Sequence, residues 1–163
     1  MRGMAAAWAT AAASLTLDIP FATLHLGMER NRGRQADNRV ILVTGATGFV
    51  GRRVIQALAA RGKQVRALVH RPGREHPLIA ERVDLHIGDV TDASSLRSAM
   101  EGVEAVVHLV AVIRERGSAT FDVVNHQGTS NVAQAAREAG IQCLVHLSAV
   151  GPVDDPRFPY LRS

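Results

Sequence analysis

The chain has 163 residues, of which 47% are hydrophobic and 21% are charged. That length holds one domain of ordinary size, and no apolar run in it approaches the ~20 residues of a membrane-spanning helix. The single cysteine, Cys143, excludes an internal disulfide and a thiolate metal cluster, and its apolar neighbours predict a buried position. The seven histidines show no metal-ligand spacing, so no metal site is predicted.

The net charge of +4 comes from basic residues that are spread along the chain. Only 4% of the residues are aromatic, so the chain lacks a platform on which nucleobases could stack. No groove-reading helix motif is present either. We therefore predict no nucleic-acid partner.

Residues 1–39 differ in composition from the rest, because an alanine-rich start precedes a polar, basic stretch. A signal peptide, an organellar transit peptide and an upstream extension with Met28 as the functional start are the alternatives. We favour the upstream extension and expect this segment to be disordered. Residues 40–163 are predicted to form one domain.

That domain begins with an apolar run from Val40, which ends in three glycines spaced by two residues. Gly45 permits a tight turn after a strand, Gly48 lets a diphosphate approach the backbone, and Gly51 lets the next helix pack closely. The helix start adds free N–H groups and a positive dipole end. The pattern predicts a phosphate-binding turn, with an ordinary strand-to-helix turn as the alternative.

Strands and helices are predicted to alternate along the rest of the chain. After the first strand, apolar runs predict strands at residues 65–69, 83–87, 105–113 and 143–147. Helical patterns follow the glycine turn up to Gly62, start at Thr91 or Asp92 as N-cap and end at Gly102, and extend over residues 121–139. The alternation predicts an α/β fold with a parallel, doubly wound sheet of the Rossmann type, in strand order 3-2-1-4-5.

The end of the second strand bears on which dinucleotide fits. Residues 40–74 contain no Asp or Glu, and Arg71 follows Gly51 by 20 residues with Arg74 close behind. A guanidinium pairs with a phosphate through two charge-assisted hydrogen bonds. We therefore expect NADP(H) to be preferred over NAD(H), with solvated loop charges as the alternative reading. Asp89, after the third strand, is predicted either to lie near the adenine or to cap a helix.

Ser148 follows the fifth strand, at the sheet edge where such folds bind ligands. Tyr160 comes twelve residues later. A tyrosine donates a proton to a carbonyl when a nearby cation lowers its pKa from ~10. The expected cation is a lysine one helical turn on, after Ser163, so the chain as given is expected to show no turnover. The fifth strand would also be an apolar edge of the sheet with unpaired backbone groups, so we expect poor solubility.

Five motifs in this order resemble the short-chain dehydrogenase/reductase superfamily, in its extended or atypical branch of NAD-dependent epimerase/dehydratase and NmrA-like proteins. They are residues 44–51, 88–90, 124–132, 147–149 and 160–163. Residues 107–115 most resemble bacterial relatives of the nucleotide-binding accessory subunit of respiratory complex I. The resemblance implies an NAD(P)-binding protein of the oxidoreductase or epimerase/dehydratase type that acts on an unknown small molecule. We expect a cytoplasmic location. It also implies an N-terminal fragment that stops before the last strands and the substrate domain.

The resemblance also implies residue roles. Gly45, Gly48 and Gly51 would contact the diphosphate and Arg71 the 2′-phosphate. Asp89 and Val90 would contact the adenine, and Val110 and Ala111 the adjoining ribose. Further cofactor contacts would come from Thr47, Phe49 and Val50. Ser148 and Tyr160 would be catalytic, and Asn125 would support the proton relay. The alternative function is a non-catalytic accessory or regulatory module that binds a dinucleotide. Such a module would associate peripherally with a membrane complex.

Overall fold

Five parallel strands form one sheet in the order β3-β2-β1-β4-β5. They are β1 (Val40–Thr44), β2 (Gln64–Val69), β3 (Val83–Ile87), β4 (Val103–His108) and β5 (Cys143–His146). The structure, a computed structural model, describes residues 39–71, 73, 83–151, 157 and 159–162. The predicted leader, apart from Arg39, and Arg74 lie outside the described residues. The predicted strand order and fold class are confirmed.

Helices connect β1 to β2, β3 to β4 and β4 to β5. They are α1 (Phe49–Ala60), α2 (Ala93–Ala99) and a π-helical segment (Phe121–Gln127) that continues into α3 (Gly128–Glu138). A 3-10 turn (Pro159–Arg162) follows β5. Asp92 caps α2 by accepting a hydrogen bond from the Ser94 N–H. Gly62 and Gly140, with φ of +70° and +72°, follow α1 and α3 in the left-handed region that glycine adopts most easily. Of the described helices, none is long and apolar enough to cross a bilayer.

The sheet buries apolar side chains on both faces, because successive residues of a strand point in opposite directions. Buried residues on the face covered by α2 and α3 include Leu42, Leu96, Met100, Val106 and Val132. Those on the face covered by α1 include Ile41, Val43, Ile55, Val65 and Val69. Helices on both faces account for the nearly continuous apolar strands.

The fourth strand is shorter than predicted. It ends at His108 rather than at Ile113, because its two neighbours end at Thr44 and His146, the residues paired with His108. Past that level the described strands offer no ladder partner, and Ile113 is 70% exposed. The apolar run at residues 109–113 therefore leaves the sheet as a loop, and the prediction of a strand there is wrong.

The fifth strand lies at the edge of the described sheet, as its order predicts, and its cysteine is less buried than predicted. Cys143 is only half-buried, and Val145 is 50% exposed. In the described part of the chain β5 pairs with β4 alone and lies at the edge of the sheet. The strand also ends at His146 rather than Leu147, although the Leu147 N–H still donates to the His108 carbonyl over 3.2 Å. The predicted core position of Cys143 is wrong for this reason.

Candidate functional site

The glycine turn after β1 has two glycines that the fold itself requires. Gly45 has a φ of +71°, and a Cβ on it would lie 2.9 Å from the carbonyl carbon and oxygen of Leu109. A Cβ on Gly51 would lie 2.2 Å from the carbonyl oxygen of Gly45, closer than real Cβ contacts come. The turn can therefore pack against α1 and against the backbone after β4 only without these side chains.

Gly48 differs from the other two glycines of the turn. Apart from its chain neighbours, only the Gly45 carbonyl oxygen, at 3.1 Å, lies within 4 Å of a Cβ added there among the described residues. Gly48 is exposed and has an ordinary extended conformation as the N-cap of α1. Apart from this one tight contact with the turn itself, no described residue covers the position, so a group can approach the turn from outside.

The start of α1 provides hydrogen-bond donors beside Gly48. Within the described residues no side chain caps this helix, and its first turn contains no acidic residue. The N–H groups of a first helical turn lack intrahelical acceptors and lie at the positive end of the helix dipole. Thr47 is half-buried, whereas Phe49 and Val50 are 69% and 42% exposed. This edge therefore favours an anionic group such as a phosphate.

The carboxyl ends of β2 and β3 meet through a pair that sequence reasoning missed. His70 Nδ1 lies 2.5 Å from Asp89 Oδ2, while Asp89 Oδ1 accepts the Thr91 N–H over 2.9 Å. Asp89 does not cap α2, because Asp92 occupies that position. Arg71 follows His70 and is exposed. The place of His70 directly after the second strand was the signal that could have identified it.

The side chain of Val90, which the resemblance places against the adenine, lies in the hydrophobic core. It is 5% exposed and belongs to the core on the α3 face. A Cβ on Gly128 would lie 2.9 Å from Val90 Cγ2, and the Val90 carbonyl accepts from Asn131 Nδ2 over 3.1 Å. The side chain thus packs beneath α3, and an adenine contact of Val90 stays a prediction.

The loop after β4, residues 109–112, is held by a side chain of the π-helical segment. Asn125 Oδ1 accepts the Val112 N–H over 2.7 Å, and Asn125 Nδ2 donates to the Val112 carbonyl over 3.0 Å. Val110 is half-buried and packs on the core, whereas Ala111 is exposed. Asn125 therefore shapes the loop that would contact a ribose, and its part in a proton relay stays a prediction.

The two predicted catalytic side chains come from the end of the described chain. Ser148 is exposed and follows β5, at the same edge as the glycine turn. Tyr160 is half-buried in the 3-10 turn. Residues 152–156 and 158, which connect the two, lie outside the described residues. The catalytic roles of Ser148 and Tyr160 stay predictions.

His108, the last residue of β4, is fully buried. Its Nδ1 lies 2.6 Å from Thr44 Oγ1, and its Nε2 lies 3.0 Å from Thr129 Oγ1. Its ring stacks on that of His146 with 5.2 Å between centroids. Burial, and secondarily the charge of His146, lowers the pKa of His108 from 6.5 to about 4. His108 is therefore neutral at physiological pH.

A comparison of the sequence with models of known protein families identifies the family of this chain. The model of the 3-beta hydroxysteroid dehydrogenase/isomerase family matches residues 42–157. The chain belongs to this family. The predicted membership of the short-chain dehydrogenase/reductase superfamily is thereby confirmed. The finer likeness to a complex I accessory subunit stays a prediction.

Individual relatives agree with this assignment. Sterol demethylase protein B of Methylococcus capsulatus is 42% identical over 115 residues, which are 69% of this chain and 35% of that protein. Ceramide reductase of Caulobacter vibrioides is 36% identical over 107 residues, 65% of this chain and 33% of that protein. The chain spans about a third of the length of these curated relatives.

A solved structure shows the same fold. A short-chain dehydrogenase/reductase superfamily protein from Agrobacterium tumefaciens with bound NAD is 35% identical and has a TM-score of 0.57. The match covers 68% of this chain and 33% of that protein. The similarity therefore extends over most of the residues that the structure describes here.

Proposed function

We propose that the chain is the dinucleotide-binding part of an NAD(P)-dependent oxidoreductase. The glycine turn is the observation that carries this proposal. Gly45 and Gly51 pack against neighbouring backbone, whereas a Cβ on Gly48, at the N-terminus of α1, would meet only the Gly45 carbonyl oxygen of the turn, at 3.1 Å. A diphosphate fits this cradle, because it needs backbone N–H donors and the absence of a side chain at the point of approach.

The residues around the turn have defined roles in this proposal. A bound nicotinamide dinucleotide supplies hydride transfer. The first turn of α1 holds the diphosphate, and residues 109–112, fixed by Asn125, line the adjoining ribose. Ser148 hydrogen-bonds to the reacting oxygen of the substrate, and Tyr160 donates or accepts its proton.

The cofactor preference proposed here is for NADP(H). Arg71 is exposed just after the end of β2, where a ribose 2′-substituent lies in folds of this type. Residues 40–74 contain no carboxylate that would repel a 2′-phosphate. The carboxylate that comes from β3, Asp89, is engaged by His70. These three observations favour a phosphate at this point over a bare hydroxyl.

The substrate class proposed here is a lipophilic alcohol or ketone. Relatives named as a sterol demethylase protein and a ceramide reductase support this class. The exposed side chains of Phe49 and Ile113, 69% and 70% accessible, give the carboxyl edge of the sheet an apolar rim. A cytoplasmic location, attachment to a membrane complex and a purely accessory role stay predictions from the sequence.

Titration calorimetry of the 163-residue chain with NADPH and NADH tests the proposal. We expect binding by the unmodified chain and its loss in Gly48→Val, because a branched side chain would occupy the place of the diphosphate. Gly62→Asn, a change at the opposite end of α1, should bind normally, since asparagine tolerates a positive φ. Wild-type affinity in Gly48→Val would rule out the turn as the phosphate site.

A further inference from the structure

A buried chain of polar groups crosses the sheet below the glycine turn. Thr44 is the last residue of β1 and directly precedes Gly45, while His108 is the last residue of β4 and precedes the loop at residues 109–112. The two side chains are fully buried and 2.6 Å apart. On its other side the His108 ring reaches Thr129 of α3 over 3.0 Å.

The direction of these hydrogen bonds follows from the groups involved. The Leu109 N–H donates to Thr44 Oγ1 over 3.4 Å and to the Thr44 carbonyl over 3.2 Å. A neutral imidazole has one donor and one acceptor. We assign the proton to Nε2, so that the Thr44 hydroxyl donates to Nδ1 and Nε2–H donates to Thr129. This tautomer gives the buried Thr44 proton an acceptor, which the opposite tautomer would remove.

The loop at residues 109–112 is thus held at both ends by one helical face. Thr129 contacts His108 immediately before the loop, and Asn125, four residues earlier, binds both backbone groups of Val112 at its end. Residues four apart lie on the same side of a helix. Between these two ties, the Leu109 backbone lies against Gly45, where an added Cβ would come within 2.9 Å.

We propose that His108 is a positioning residue of the dinucleotide site. By holding Thr44 it fixes the spacing between the glycine turn and the loop after β4, the two backbone segments between which the dinucleotide must lie. The inference rests on the proposed function. It assigns the effect to the bond from Nδ1 to Thr44, while the bond from Nε2 to Thr129 attaches the helix to the sheet.

Two substitutions separate the two bonds. His108→Asn places an amide oxygen near the position of Nδ1 and can still accept from Thr44, but it does not reach Thr129. His108→Gln extends its amide toward Thr129 and leaves the Thr44 hydroxyl without its acceptor. Thr44→Ser and Thr44→Val form a second pair, since serine keeps the hydroxyl and valine keeps the shape. This pair decides the question should neither histidine variant fold.

The variants are compared by NADPH titration, thermal melting and amide hydrogen exchange of the ligand-free chain. We expect the melting temperature to fall in both histidine variants. The NADPH dissociation constant should rise about tenfold in His108→Gln and Thr44→Val, yet stay within about threefold in His108→Asn and Thr44→Ser. Exchange at residues 109–112 should be faster in His108→Gln than in His108→Asn.

Equal affinity and equal loop exchange within each pair would overturn the inference, since the bond to Thr44 would then carry no positioning role. Failure of the proposed function would be seen in the unmodified chain and not in the comparison of variants. If the unmodified chain binds neither NADPH nor NADH, the proposed function is wrong. The exchange comparison still decides whether His108 holds the loop.

Discussion

Two backbone segments meet at the carboxyl edge of the sheet, and they are held in place in different ways. The glycine turn after β1 is set by missing side chains, because Gly45 and Gly51 approach neighbouring backbone where a Cβ would not fit. The loop after β4 is set by side chains from elsewhere, since Asn125 binds the Val112 backbone and His108 ties its start to Thr44.

The difference explains why only one of the segments is visible as a motif. A turn that depends on glycine carries its requirement in its own residues, at a fixed spacing. A loop that depends on distant hydrogen bonds carries an ordinary apolar sequence. The same residues, 109–113, accordingly predict a continuation of β4 when they are read without their partners.

The largest expected effect comes from breaking the close packing of the glycine turn. Gly51→Ala should lower the free energy of unfolding by about 3 kcal/mol or more, because the turn must shift to admit a Cβ that would lie 2.2 Å from the Gly45 oxygen. Gly48→Ala is the control and should change stability by about 1 kcal/mol or less. Urea unfolding measures both, and equal losses would contradict the distinction between the two glycines.

The buried histidine beside the loop predicts a dependence of stability on pH. The pKa of His108 is about 4 in the folded chain and 6.5 when unperturbed, so the unfolded chain binds this proton more tightly. The contribution of His108 to the free energy of unfolding, about 3 kcal/mol, is therefore fully present above pH 6.5 and is lost as the pH falls toward 4.

Unfolding of the unmodified chain and of His108→Asn, measured in urea from pH 7 to pH 4, isolates this contribution. The other titrating groups are common to both proteins and cancel in the difference, except for the interaction of His146 with the His108 ring, which is lost in the variant. The variant should lose less stability over this range. Parallel curves would show that His108 does not have the lowered pKa expected from its burial.

Releasing the far end of the loop should have a smaller effect. Asn125→Ala leaves the Val112 N–H and carbonyl without their partner and should destabilise the chain by about 2 kcal/mol. Gln134→Ala removes an exposed amide that contacts Glu138 over 2.8 Å on α3. That control should lie within about 0.5 kcal/mol of the unmodified chain in urea unfolding. Equal effects would indicate that the Asn125 contacts contribute no more than a surface pair.

The smallest effect on the fold is expected at Arg71, which is exposed after the end of β2 and belongs to neither the glycine turn nor the loop after β4. Arg71→Ala should leave the melting temperature unchanged and weaken NADPH binding about tenfold, with little effect on NADH, because one phosphate contact is lost. Arg97→Ala, an exposed arginine in α2, is the control. Titration calorimetry compares the four dissociation constants. Equal NADPH and NADH affinities in the unmodified chain would refute the proposed preference.

Sequence alone determined the features that depend on near neighbours. Alternating apolar runs and helical patterns defined the five strands and their order, since right-handed crossovers leave few arrangements. The glycine spacing defined the turn, and Asp92 and Gly62 marked helix ends at the expected positions. These signals act over a few residues, where backbone conformation follows from the side chains present.

Tertiary structure alone decided which distant side chains meet. Thr44 and His108 are 64 residues apart in the chain and adjacent in space, because the β1–β4 register pairs them. The His70 and Asp89 pair likewise forms where β2 and β3 end side by side. The end of β4 was set by the lengths of its neighbours. Such contacts depend on the alignment of strands, and no local pattern in the chain encodes that alignment.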